Sequence, residues 1–200
     1  SKPYMIDVNS FDMKAEFNYL LIPKIDPYGF LMARIPDWNK YNLLPGTTNV
    51  YNKGSFMGKT FLNTYAENDT LSMYLGKDNN ILATRKETTT SNRNNVIGNY
   101  YVDESKFAIT VKNNSSENLK IQVLDQVPVI ADGDKAKLNV DNISGAIYNV
   151  REGLLTWNVE LAPNSSTSLD YTYVLKDPKN SLNSNRRRQL SYKTLSCPSF

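Results

Sequence analysis

Four of the 20 acidic residues in this sequence are candidates for hydrolytic chemistry, namely Asp26, Asp37, Asp125 and Glu160. Most glycoside hydrolases use two carboxylates that face each other across a groove. The chain contains no His, which excludes Ser-His-Asp triads, Cys-His pairs and His-ligated zinc. The sequence therefore predicts a protein without catalytic residues. Two-carboxylate hydrolysis stays as the alternative, because spacing alone does not show whether two of these acids converge.

Two short stretches resemble ligand-binding loops but lack essential parts. The run from Gly54 to Gly58, followed by Lys59 and Thr60, has three residues between its glycines, whereas a phosphate-binding loop has four and leads into a helix. We interpret it as a hairpin turn. The run 132–134 offers two Asp side chains, far fewer than the six to eight oxygens of a calcium site. We therefore expect no metal and no cofactor.

Aromatic residues provide the candidate binding surface. Trp38 is flanked by Asp and Asn, and with Tyr28 and Tyr41 it could form a surface that binds a sugar or a peptide. The alternative is that Trp38 is an edge aromatic residue that closes the first hydrophobic core. Trp157 alternates with aliphatic residues and is expected to lie in the core.

The charge distribution separates the body of the chain from a basic tail. The formal charge is +3, but from Lys179 onward there are five cations and no acids; removing these five from the 23 Lys and Arg leaves 18 against 20 Asp and Glu. A body with this mild acidity argues against nucleic-acid binding. We interpret Arg186–Arg188 as part of a solvated tail and expect no functional role for Cys197. The sequence has no apolar run of about 18 residues, so no transmembrane segment is expected.

Short runs of β-branched and aromatic residues, separated by Gly, Pro, Asn and Asp, recur along the chain and predict an all-β fold. In the second half, apolar residues alternate with polar ones at a period of two, which is typical of half-buried strands. The turn residues 113–116 and 163–166 predict two hairpins there. The predicted strands are Ala15–Ile22, Gly29–Ile35, Thr47–Tyr51, Thr70–Leu75, Ile81–Lys86, Phe107–Lys112, Leu119–Val123, Leu155–Leu161 and Leu169–Leu175.

These strands predict two sandwich-like halves. Residues 1–90 form the first half, 91–99 a linker or long loop, 100–178 an immunoglobulin-like second half, and 179–200 a basic, flexible or late-docking tail. The spacing of strands in the second half suits an immunoglobulin-like sandwich, although the Cys…Trp…Cys pattern of antibody domains is missing.

Several short motifs follow one another along the chain in a recognisable order. They are Ile35-Pro-Asp-Trp-Asn39, Leu43-Leu-Pro-Gly46, Val50-Tyr51, Gly54-Ser-Phe-Met-Gly58, Leu75-Gly-Lys-Asp78, Val111-Lys-Asn-Asn114, Asp125-Gln-Val-Pro-Val129, Gly153-Leu-Leu-Thr-Trp157, Leu161-Ala-Pro163, Tyr173 and Pro178-Lys179. In this order they resemble the C-terminal domain of the mucoidy inhibitor A family, a domain of unknown function in bacterial envelope-associated proteins. The resemblance covers Tyr19 to Lys179 and carries no known catalytic residue or ligand. It implies a periplasmic or cell-surface location and a structural or interaction role, with an unknown envelope protein or glycan as partner.

Overall fold

The fold consists almost entirely of β-strands. The computed structural model describes residues 9–52, 54–65, 69–90, 96–130, 135–179, 191–192 and 194–196. The all-β, sandwich-like prediction is confirmed. The elements are β1 (Glu16–Ile22), β2 (Asp26–Pro36), a 3₁₀ helix (Trp38–Tyr41), β3 (Gly46–Asn52), β4 (Ser55–Leu62), β5 (Thr70–Thr90), β6 (Val96–Ile97), β7 (Tyr100–Asn113), β8 (Leu119–Gln126), β9 (Lys137–Asp141), β10 (Ile147–Asn149), β11 (Leu154–Leu161) and β12 (Ser165–Pro178).

Contacts divide the described chain into two units. Unit 1 contains residues 9–18 and 31–76, and unit 2 contains residues 19–30 and 77–196. The strands β2 and β5 each run through the point where the chain passes from one unit to the other. This grouping differs from the predicted halves, because residues 81–90 of β5 pair with β7 in unit 2. The division into halves at residues 91–99 stays a prediction, and residues 91–95 of the predicted linker lie outside the described ranges.

Unit 2 is built on a sheet that folds over onto itself. The strand order is β10-β11-β8-β1-β2-β5-β7-β12-β9, with β6 paired to β7. Alternate residues of β7, β8, β11 and β12 point inward, as the period-two pattern predicts. The Trp157 ring of β11 lies 6.1 Å from the Tyr171 ring of β12. Strands that are distant in the hydrogen-bonded order therefore face each other across one core.

The two predicted hairpins of the second half are wrong. Among the described strands, β7 pairs with β5, β6 and β12, while β8 pairs with β1 and β11. The turns at 113–116 and 163–166 instead carry the chain across the core, from β7 to β8 and from β11 to β12. Turn residues allow the chain to reverse, but they do not decide whether the next strand hydrogen-bonds beside the first or packs opposite it.

Asn113 fixes both crossings. Its side chain is fully buried, and its Nδ2 lies within hydrogen-bonding distance of the carbonyl oxygens of Glu117 (2.9 Å), Leu161 (3.2 Å) and Ala162 (3.0 Å). Its Oδ1 accepts from the Ser115 N–H at 2.9 Å. One side chain therefore contacts backbone groups from both turns, and its hydrogen bond to the Leu161 carbonyl oxygen is fully buried.

Unit 1 has a smaller core and its own two-stranded sheet, β3 with β4. Trp38, at the start of the 3₁₀ helix, packs with Ile35 and Leu71. The segment after Gly54, which we interpreted as a hairpin turn, is mostly the strand β4, and only its start belongs to the turn from β3. Lys59 and Thr60 lie in this strand and not in a phosphate-binding loop.

Candidate functional site

Asp125, the candidate carboxylate of β8, lies in the core of unit 2 with no exposed surface. Its Oδ2 accepts from Arg85 Nε at 2.7 Å and from the Tyr171 hydroxyl at 2.9 Å. Its Oδ1 accepts from the Gln126 N–H at 2.7 Å. Both carboxylate oxygens are therefore bound by groups of the protein. We call Arg85, Asp125 and Tyr171 the buried cluster.

Arg85 connects the members of the buried cluster. Its Nη2 donates to the Tyr171 hydroxyl at 2.8 Å, and its guanidinium carbon lies 4.0 Å from the centre of the Phe107 ring. Burial alone would lower the pKa of Arg85, but the charge of Asp125, together with Tyr171, raises it above its ordinary value. Burial and the neighbouring carboxylate also raise the pKa of Tyr171. The cluster thus holds a charged Arg, a bound carboxylate and a neutral Tyr.

The sequence pattern also indicates an inward-facing position for Arg85, which we did not predict. On β5, Arg85 follows Ile81 and Ala83 at a period of two, so it points to the same apolar side of the strand. An arginine in phase with buried residues needs an acid in the core. Asp125 is likewise in phase with Ile121 and Val123 of β8.

Asp125 and Glu160, the candidate acids on β8 and β11 of unit 2, point to opposite faces of the sheet. Glu160 is exposed on β11 and lies opposite Lys120 of β8. Lys120 precedes Asp125 by five residues on the same strand. An odd separation along a strand puts side chains on opposite faces, and five residues span about 17 Å. Asp26 forms an ion pair with Lys77 at 2.6 Å, and this contact helps to lower the pKa of Asp26 against the opposing effect of burial. Asp37 is exposed in unit 1.

The three residues of the predicted aromatic surface are divided between the two units. Trp38, in unit 1, is buried, with 8% of its surface exposed. Tyr41, also in unit 1, stacks edge-on against Phe11 with ring centres 5.5 Å apart. Tyr28 belongs to unit 2, where Lys77 lies 4.7 Å from its ring centre. The burial of Trp38 matches the alternative in which it closes the first core, and a ligand-binding surface at these residues stays a prediction.

A groove opens where the chain leaves the buried cluster. It measures about 840 Å³ and is lined mainly by apolar side chains from the segment after β8 and from β9 and β10. These two strands are the ends of the strand order, so each is an edge strand. The lining includes Val129, Ile130, Leu138, Tyr148, Val150 and Arg151. The chain continues from the end of β8, which carries Asp125, into the segment that forms one wall of the groove.

Gly153 holds the segment that forms this wall. The Val127 N–H donates to the Gly153 carbonyl oxygen at 2.8 Å. A Cβ at Gly153 would lie 2.5 Å from the Val127 carbonyl oxygen, and the residue has φ +63°. Only glycine combines this positive φ with such a close approach of two backbone segments.

Replacing Gly153 by Ala is expected to lower the free energy of unfolding by about 3 kcal/mol, since the positive φ costs about 1–2 kcal/mol and the clash adds a similar amount. Gly145→Ala is the matched control, because Gly145 has φ +77° but nothing within 4 Å of its Cβ position. Urea unfolding of both variants measures the difference. Equal losses would mean that the close approach to Val127 contributes nothing.

The stability of unit 2 is expected to fall at alkaline pH. Burial raises the pKa values of both Tyr19 and Tyr171, and hydrogen-bonded carboxylates raise them further. Above about pH 10, where tyrosines of an unfolded chain ionise, the folded chain retains protons that the unfolded chain releases. The contribution of these two tyrosines to stability is therefore constant below that pH and decreases above it. Urea midpoints between pH 8 and 11 should show this decrease, and Tyr171→Phe should reduce it; an unchanged midpoint across this range would contradict the argument.

Several predicted features lie wholly or partly outside the described residues. These are the run 132–134, Arg186–Arg188 and Cys197. Within the described ranges, no group of three or more Asp, Glu, His or Cys side chains is arranged to hold a metal ion. In the same ranges, no helix has the length and apolar character needed to cross a membrane.

The fold and the buried cluster define an all-β domain in which an internal ion pair joins β5 to β8 in unit 2. The model of a family described as a domain of unknown function, DUF4139, matches residues 3–179. The chain therefore belongs to the DUF4139 family. No curated protein is significantly similar to it.

Proposed function

We propose that this chain is a non-catalytic binding module that recognises a protein partner through the groove between β9 and β10. The groove carries this proposal, because its volume of about 840 Å³ falls within the range of specific binding sites. Its two edge strands offer unpaired backbone groups to an extended segment, which can add to a sheet edge while its side chains enter the groove. Val150 on the rim keeps 69% of its surface exposed.

The arrangement of the acids supports the non-catalytic part of the proposal. Asp125 is bound on both oxygens and has no exposed surface. A general acid or base must reach the proton that it transfers. In unit 2, Glu160 lies on the opposite face from Asp125, and Asp26 is paired with Lys77.

The resemblance to the mucoidy inhibitor A family supports a periplasmic or cell-surface location in a bacterium. The family match over residues 3–179 covers the same region as that resemblance. Fractionation of the host cells, with detection of the natural protein, tests this part of the proposal. Recovery in the periplasmic or envelope fraction is expected, and exclusive recovery with cytoplasmic markers would contradict it.

The groove is tested by capture from envelope extract with the whole chain and two matched variants. Val150→Arg places a charged side chain on the rim of the groove. Ile97→Arg places the same side chain on β6, outside the groove, at a residue with 66% exposure. Neither change is expected to alter stability by more than about 0.5 kcal/mol.

A specific partner should be captured by the wild-type chain and by Ile97→Arg, but not by Val150→Arg. The captured protein, once purified, should then bind the chain directly with the same pattern. Equal capture by all three chains would contradict the groove as the binding site.

Carbohydrate binding is a second candidate function, favoured by exposed aromatic rings on the β3–β4 sheet of unit 1. Tyr51 (64% exposed) and Phe56 (55%) lie with ring centres 5.5 Å apart, and Phe61 is 58% exposed. Exposed aromatic faces are common in sugar-binding sites. A glycan array should give a signal that Tyr51→Ala removes and that the control Tyr65→Ala keeps. No signal from the wild-type chain would exclude this candidate.

A further inference from the structure

A piece of the C-terminal region of the chain pairs with Val129, one of the residues that line the groove. Ser191 forms an isolated antiparallel bridge with Val129, and the Val129 N–H donates to the Ser191 carbonyl oxygen at 2.9 Å. Val129 also lines the groove. The pairing is the kind that an added strand makes at a sheet edge, here supplied by the same molecule.

Tyr192 supplies a side-chain anchor beside this bridge. Lys24 Nζ lies 3.8 Å from the centre of the Tyr192 ring, a distance typical of a cation–π contact. Lys24 also donates to Gln126 Oε1 at 3.1 Å, which links the anchor to the end of β8. Burial and a hydrogen bond with Tyr173 raise the pKa of Tyr192. The Tyr192 side chain still keeps 40% of its surface exposed, so the contact is partial.

The residues that receive this segment belong to the family domain, whereas the segment itself does not. Lys24, Gln126 and Val129 lie within the matched residues 3–179, and Ser191 and Tyr192 lie beyond them. A strand-docking position of the domain is therefore filled here by a sequence that follows the domain.

We propose that Ser191–Tyr192 is a built-in occupant of a strand-docking site on Val129, and that a partner's extended segment with an aromatic anchor replaces it there. This inference rests on the proposed function, since it concerns the regulation of the same groove. A tethered segment has an effective concentration in the millimolar range. If the untethered occupant segment binds the site with a Kd near 0.1 mM, any partner segment would therefore bind about tenfold more weakly while the occupant is present.

The test compares the whole wild-type chain with Tyr192→Ala and with Tyr65→Ala as the control. Tyr65 is 77% exposed and lies in unit 1. Hydrogen exchange of the Val129 amide is measured by NMR in all three chains. Removal of the anchor should make this exchange at least tenfold faster, while Tyr65→Ala leaves it unchanged. An unchanged rate in Tyr192→Ala would overturn the inference.

A synthetic peptide with the sequence of residues 189–196 is the second probe. It should bind Tyr192→Ala about tenfold more tightly than the wild-type chain, and a peptide with Ala in place of the tyrosine should bind neither. Equal binding of the first peptide to both chains, or no binding to either, would also overturn the inference. This outcome can be distinguished from that of the groove experiment. Faster Val129 exchange and tighter peptide binding in Tyr192→Ala would support Ser191–Tyr192 as the occupant. If Val150→Arg nevertheless had no effect on partner capture, the proposed partner site would be refuted.

Discussion

The Asp125→Asn variant is expected to lose about 3 kcal/mol of unfolding free energy, while Glu160→Gln changes it by less than about 0.5 kcal/mol. The first change removes the charge opposite Arg85 in the core and leaves a half-buried cation without its carboxylate. Breaking a buried pair in this way costs about 3–5 kcal/mol. Because the Arg85 side chain keeps 20% of its surface exposed, the lower end of this range applies. Urea unfolding at pH 7 measures both variants.

A double variant tests whether the loss comes from the unpaired charge. Arg85→Met combined with Asp125→Leu removes both charges and replaces them with apolar side chains. Such replacements are often neutral or stabilising, so the double variant should be more stable than Asp125→Asn. The opposite result would be a double variant that is less stable than Asp125→Asn, together with a destabilising Glu160→Gln. It would show that the loss in Asp125→Asn does not come from the unpaired charge of Arg85.

The Asn113→Asp variant is expected to lose about 4 kcal/mol or more, because it places a buried carboxylate against the carbonyl oxygens of Glu117, Leu161 and Ala162. At all three carbonyl oxygens, electrostatic repulsion by the carboxylate then replaces the contact with the amide N–H donors. The control is Asn158→Asp on β11, since Asn158 is exposed and its Oδ1, which accepts from Gln122 Nε2 at 3.2 Å, is kept in Asp.

Asn113→Ala provides a milder change if the aspartate variant does not fold. It removes the hydrogen bond to the buried Leu161 carbonyl oxygen without adding a charge, and a loss of about 2–3 kcal/mol follows. Thermal and urea unfolding of the alanine variant and of Asn158→Asp give the comparison. A loss at Asn113 no greater than that at Asn158 would show that the two crossings do not depend on this side chain.

Much of the local structure could be predicted because burial imposes a period of two on each strand. Ile109 and Val111 of β7 and Trp157 of β11 are buried, as the alternation indicated. The same pattern could not identify strand partners, so both hairpins were predicted wrongly. The short edge strands β9 and β10 escaped prediction because their residues are only partly buried and the alternation is weak.

The candidate site was predictable only in part. Asp125 was selected for its chemistry, but its phase with Ile121 and Val123 already placed it on the inner side of β8. Arg85 was not selected, although it stands in the same relation to Ile81 and Ala83 on β5. The groove and the contact of Tyr192 with Lys24 join residues far apart in sequence, and no local pattern encodes such contacts.

The most direct measurement is the equilibrium binding of the purified partner to three chains: wild type, Val150→Arg and Asp125→Asn, at a temperature where all are folded. If the groove binds and the buried cluster serves the scaffold, Val150→Arg should weaken binding at least tenfold and Asp125→Asn should bind like the wild type. Loss of binding in folded Asp125→Asn, with Val150→Arg unaffected, would contradict both assignments.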